Sequence, residues 1–324
     1  MVFPFRRGTR RALLHPTGSS WGDLLFRAGS GAAGFAILAL LALLAVVLAI
    51  NALPSFRAFG FGFLGSTAWN PVRDEFGALP FIYGTLITSA IALLLGVPVS
   101  LGIAIFVAEL SPGSIRVPLT YVIELLAAVP SVVYGLWGLF VLVPLITTYV
   151  SPALQGALGF LPIFQGQIYD RNLFTAGVIL AIMIIPTVSA VSRDALLAVP
   201  QHQREAALSL GATRWESIRI AVLSYARSGI FGAVMLGFGR AFGETMAVTM
   251  VIGNRNAISA SWFAPAQTLS SIIANSAREG AAGSLELGAI VELGLVLMLV
   301  AFLINVFARF MVCRFLGKRE GGLE

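Results

Sequence analysis

The chain has 324 residues, 58% of them hydrophobic and only 11% charged, and its mean hydropathy of +0.91 lies far above that of a water-soluble domain. So much apolar surface excludes an ordinary soluble enzyme. The net charge of +6 does not point to nucleic acid, because a membrane protein accumulates Arg and Lys by retaining its cytoplasmic loops. The single cysteine, Cys313, excludes an intrachain disulfide framework and a cysteine metal site.

In chain order, residues 1–30 read as a basic tail, flexible through Pro16, Thr17, Gly18, Ser19 and Ser20. Trp21, Leu24, Leu25 and Phe26 then give an apolar face suited to the membrane surface. A spanning helix needs ~20 mostly apolar residues, and six stretches qualify. They run from about Gly31 to Leu53, Phe81 to Ala108, Leu119 past Pro130 toward Ile146, Phe174 to Ser192, Gly229 to Ile252, and Leu287 to Ala308. The expected fold class is therefore an all-α polytopic membrane protein. The third stretch, interrupted by Glu124, Pro130 and Pro144, reads either as one broken helix or as a helix plus a re-entrant piece. The first exceeds a signal-peptide apolar segment and follows a long basic tail, so it reads as a retained helix.

With six spans both termini share a side. Fifteen Arg and Lys side chains fall on that side, and five, Arg57, Arg73, Arg171, Arg255 and Arg278, fall on the other. The positive-inside rule then places both termini in the cytoplasm.

Chemistry-bearing motifs are few. Gly60, Gly62 and Gly65 match a dinucleotide-loop spacing, but they follow a spanning helix rather than a strand, so the match reads as accidental. No Walker A sequence occurs, and the only histidines are His15 and His202. Without a nucleophile triad or a metal cluster, the chain reads as having neither a catalytic site nor a cofactor of its own.

The largest cytoplasmic loop, 193–227, carries a more telling pattern. Ala206, Ala207, Leu208 and Leu210 predict a short helix with a compact apolar face, and Gly211 ends it by tolerating a left-handed cap. Thr213 followed by Glu216 is a capping box that starts a second helix. The loop should form a helix-turn-helix elbow.

Glu205, Ala206, Ala207 and then Gly211 resemble the E-A-A-x-x-x-G signature of ABC importer permeases. Further on, Leu223 matches that family's pattern, while Ala221 and Ser224 depart from its Ile and Pro. The segments 77–109, 123–135 and 239–254 are similar to permeases of the phosphate-specific importers, a likeness that spans roughly Gly77 to Arg309. The resemblance implies a type I ABC importer (MetI-like) fold, with a permease core over 77–312 and a coupling loop at 193–227. Around the core lie the tail 1–30, a first helix and extracytoplasmic loop over 31–76, and a cytoplasmic tail at 313–324. It further implies import of inorganic phosphate across a prokaryotic inner membrane. ATP and Mg would be handled by a cytoplasmic ATPase dimer, joined by a second homologous permease subunit and an extracytoplasmic phosphate-binding protein. Glu205, Ala206, Ala207 and Gly211 would couple to the ATPase.

Arg240 and Glu244 fall within the fifth stretch, where a charge is costly unless it faces protein or a watered path. Their i, i+4 spacing predicts one helix face and a pair. A guanidinium offers bidentate hydrogen bonds to oxyanion oxygens, so the two are candidate residues of the translocation path. Gly232, Gly237, Gly239 and Gly243 should let neighbouring helices approach this span. Glu124 and Glu292 are further intramembrane acids, and Ser131 and Tyr134 are candidate path hydroxyls. A permease for molybdate or sulfate would suit Arg240 equally, and an ion-driven secondary transporter is a rival of another class.

Overall fold

The computed structural model describes residues 21–277 and 284–315, the side chains of 311–315 excepted. Most of the basic tail, Arg278 and the C-terminal tail past Phe315 lie outside the described residues. Among the described residues six helices are long and apolar enough to cross a membrane: Trp21–Phe59, Leu79–Leu110, Ser131–Leu158, Leu173–Leu197, Arg214–Gly243 and Leu285–Phe310. They are numbered below as the first to sixth spans. Among the described residues the only strands are a two-residue antiparallel pair, Trp69–Asn70 with Glu75–Phe76.

The first helix is already formed at Trp21, ten residues before the expected Gly31. Trp21, Leu24 and Leu25 continue its apolar run. Up to Val47 the chain forms a compact unit by itself. There Phe35, Leu38 and Leu41 stand exposed, an apolar surface of the kind that lipid covers. The helix runs on to Phe59 and ends at Gly60, whose φ is 55°. Gly62–Gly65 form a single helical turn. The three glycines of the loop match are thus a helix end, not a strand-to-helix turn.

The third stretch is broken at Pro130, within the alternatives open to it, but its span lies later than the expected 119–146, at Ser131–Leu158. Val129 and Pro130 are extended, which separates a helix at Gly113–Ala128 from the span that starts at Ser131. The residue before a proline is pushed out of the helical region, and Pro130 has no N–H to offer the carbonyl of Leu126. That carbonyl accepts instead from the Val129 amide at 3.3 Å and from the Tyr134 hydroxyl at 2.9 Å.

The fourth span is the hub. Its Ile179, Leu180, Met183 and Ile184 are fully buried among Ile91 and Ala92 of the second span and Val248 and Val251 beyond the fifth. A smaller cluster of Ala104, Leu196, Val222 and Ala226 joins the second, fourth and fifth spans beneath the elbow. Several helices contain a widened π turn: Phe106–Leu110 in the second span, Gly138–Leu142 and Ile146–Val150 in the third, and Ile218–Val222 in the fifth.

The fifth span also departs from expectation. Instead of running through to Ile252 it stops at Gly243. Glu244 is extended, and a separate short helix covers Met246–Val251.

Candidate functional site

Two places stand out as candidate sites, and the elbow is the first. Its leading helix is Gln201–Ser209, which has no buried residue. Gly211 has a φ of +85°, and the amides of Gly211 and Ala212 donate to the carbonyls of Leu208 and Ala207, at 3.0 and 3.2 Å. These bonds close the helix end through a left-handed residue, which a side chain would strain. The capping box that follows is complete. Thr213 Oγ1 accepts from the Glu216 amide at 3.3 Å, and a Glu216 oxygen accepts from the Thr213 amide at 2.7 Å. The elbow leaves Glu205 and Ala206 exposed, with Leu208, Leu210 and Trp215 uncovered beside them, 46%, 89% and 57% exposed. Apolar side chains that open on a helix flanked by charges make a surface fit for another protein.

The second place is a chamber of about 630 Å³, open along one side and lined by Thr187, Gly232, Met235, Leu236, Gly239, Arg240 and Asn305. Arg240 is half-buried at the end of the fifth span, and its Nη1 donates to Thr187 Oγ1 at 3.0 Å. Among the described residues the ion pairs are Arg193 with Glu124 and Asp194, and Arg204 with Glu109. Arg240 therefore pairs with no carboxylate there. The expected pairing with Glu244 does not form, because the helix ends at Gly243 and the i, i+4 relation no longer places the two on one face. Glu244 instead turns to the next helix: its Oε1 accepts from the Ala247 amide at 3.2 Å, and its own carbonyl accepts from Ser270 Oγ at 2.8 Å. The structure thus brings Arg240 into the chamber and leaves Glu244 beside it as a cap.

Other candidates separate cleanly. Glu124 pairs with Arg193 at 3.4 Å, where the broken third stretch meets the end of the fourth span. Glu292 is only 6% exposed and does not line the chamber. Tyr134 spends its hydroxyl on the Leu126 carbonyl. Of the glycines near Arg240 only Gly237 lies against a neighbouring helix, where an added Cβ would come 2.4 Å from Val188 Cγ2. Gly232 and Gly239 open onto the chamber and keep it roomy. Sequence reading missed Asn305, which lines the chamber from the sixth span, and Arg309, which extends the lining in the adjoining cavity. A polar residue inside an apolar span was the available signal for Asn305.

A family described as "binding-protein-dependent transport system inner membrane component" matches residues 100–316. The chain belongs to this family, and it is a multi-pass inner-membrane permease component that works with an ATPase and a binding protein. Its relatives narrow the comparison. The chain is similar to "Phosphate transport system permease protein PstC" of Mesorhizobium japonicum, 47% identical over 296 residues and 90% of each chain. To the protein of that name from Haemophilus influenzae it is 46% identical, over 80% of this chain and 83% of the other. "Phosphate transport system permease protein PstC 2" of Mycobacterium tuberculosis is 40% identical over 89% and 91%. Among solved structures, the fold matches a chain of the MetNI methionine ABC transporter with a TM-score of 0.52 at 17% identity, covering 72% of this chain and 93% of that one. It also matches a bacterial ABC transporter involved in the import of alginate, TM-score 0.53 at 19% identity, over 73% and 79%.

Proposed function

We propose that this chain is the permease subunit of an ATP-driven importer of inorganic phosphate and that Arg240 meets the anion during passage. The observation that carries the reading is Arg240 itself: a guanidinium that faces an open chamber, steadied by Thr187 and, among the described residues, in no ion pair with a carboxylate. A half-buried cation in a membrane span without a paired carboxylate is costly, and a transient dianion with oxygens spaced for bidentate bonding offsets that cost. The names of the relatives supply phosphate as the anion. Glu244, at the helix break, holds the short helix that follows and so fixes the end of the span on which Arg240 sits. The exposed elbow, with Glu205, Ala206, Ala207 and Gly211, is the docking surface for the ATPase. A second permease of similar fold, an ATPase dimer and an extracytoplasmic phosphate-binding protein complete the transporter. Both termini lie in the cytoplasm, on the side of the elbow.

The test is uptake of labelled phosphate in cells lacking other importers, with membrane abundance measured alongside. Arg240→Ala should insert normally and lower uptake by about tenfold or more, and Arg240→Lys should be nearly as poor, because charge is kept but the bidentate fork is lost. Near-normal uptake by Arg240→Ala rejects the anion role. In the purified complex, hydrolysis stimulated by a sulfate- or molybdate-loaded binding protein and not by a phosphate-loaded one would reassign the substrate.

A further inference from the structure

Arg204 sits on the elbow helix one residue before Glu205, yet its guanidinium serves the interior of the protein. Its Nε and Nη2 donate side-on to the two oxygens of Glu109, at 3.3 and 2.6 Å. Nη1 donates to the carbonyl of Val199, and Nη2 also donates to that of Leu196, at 2.9 Å. Glu109 lies in the π turn that ends the second span, and Leu196 is in the last turn of the fourth. One side chain thereby ties the elbow helix to two spans at once.

The pair is shielded: the side chains of Arg204 and Glu109 are 22% and 11% exposed. A side-on guanidinium–carboxylate contact in such a place is strong and directional, and salt screens it less than a surface pair. Because the elbow helix buries no residue of its own, this grip is a principal polar tie between it and the membrane part. The fourth span also carries Thr187, the partner of Arg240, about two and a half turns before Leu196 on the same helix. A displacement of the elbow that is held rigidly at Leu196 therefore reaches the chamber along one continuous element.

We propose that the Arg204–Glu109 pair is the latch through which movement of the ATPase-docking elbow is passed to the second and fourth spans, which makes both positioning residues of the transport cycle. The inference rests on the elbow being the docking surface. The experiment uses the whole transporter, both permeases with the ATPase and a phosphate-loaded binding protein, in proteoliposomes. Glu109→Gln keeps the size of the side chain and removes its charge. Basal ATP hydrolysis and co-purification of the ATPase should match wild type. Hydrolysis stimulated by the loaded binding protein should fall at least about fivefold, and phosphate transported per ATP should fall with it. A merely structural role would lower abundance and all rates together and leave that ratio unmoved. Glu109→Asp, which keeps the charge, should recover part of the stimulation.

Wild-type stimulation and ratio in Glu109→Gln overturn the latch, as does loss of ATPase co-purification, which would make the pair part of docking itself. If Glu109→Gln does not accumulate, Arg204→Lys serves instead: it should show the same separation of basal from stimulated hydrolysis, and a wild-type ratio overturns the proposal. The docking reading has its own arm. The Glu205→Ala, Gly211→Val double variant should lose the ATPase on purification. Should it keep both association and stimulation, docking fails and the latch with it, whereas failure of the Glu109 arm alone leaves docking standing.

Discussion

Replacing Gly237 with alanine tests how tightly the chamber is built. Gly237 lies on the fifth span one turn before Arg240, and an added Cβ would sit 2.4 Å from Val188 Cγ2 and 3.6 Å from Ile184 Cβ on the fourth span. Val188 and Ile184 are both fully buried, so neither can swing into open space. To restore ordinary contact the two helices must part by about an ångström, and overpacking of that order costs ~1–3 kcal/mol. The exchange also gains up to ~1 kcal/mol of helix propensity, so the net destabilisation should be ~0–3 kcal/mol. Function should suffer more than stability does, because Thr187, the residue before Val188, holds Arg240 at 3.0 Å. A parting of the helices stretches that bond directly. Val188→Ala alone removes the obstructing methyl and should cost ~1–2 kcal/mol through the space it leaves. In the double variant the nearest Val188 atom left to the new Cβ is the β-carbon, at 3.9 Å. The two changes should therefore offset each other, with a coupling of ~1 kcal/mol or more in the favourable direction. The assay is thermal unfolding of the purified complex together with phosphate uptake, for both single variants and the pair. Additive effects, or an unimpaired Gly237→Ala protein, refute the close packing of the fourth and fifth spans at this point.

Two further outcomes follow from the fold. In a Cys313→Ser background, a cysteine at Leu210 should be labelled by an impermeant thiol reagent only from the cytoplasm and one at Ala260 only from outside; labelling of both from one side breaks the six-span topology. Tyr134→Phe withdraws one of the donors to the Leu126 carbonyl and should lower thermal stability by ~0.5–1.5 kcal/mol while uptake per inserted molecule stays normal; lost uptake at full stability would return Tyr134 to the transport path.

The spans were legible because length and apolarity suffice to find them. The elbow was legible because its determinants are local: Gly211 and the Thr213–Glu216 box act within a few residues of themselves. The break at Pro130 announced itself through proline. The break at Glu244 did not, since Gly239 and Gly243 are ordinary residues of a membrane helix and no proline marks the stop. What ends the helix there includes the contacts of Glu244 with Ala247 and Ser270, and the latter comes from a segment far along the chain. The Arg204–Glu109 bond joins residues 95 positions apart, and nothing in the neighbourhood of either names the other. Among the glycines, spacing alone could not tell Gly237, pressed against Val188, from Gly232 and Gly239, which open onto the chamber.

The paired π turns of the third span bear on how that helix meets its neighbours. Its buried residues include Tyr134, Gly138, Leu142 and Ile146, a seam with a step of four. In an unbroken α-helix each such step overshoots a full turn by about 40°, so the seam would wind sideways around the helix and swing toward lipid within a few steps. Each widened turn takes up part of the overshoot. The seam consequently stays on one face of the helix, the face that packs on the short helix Met246–Val251 and on the fourth span.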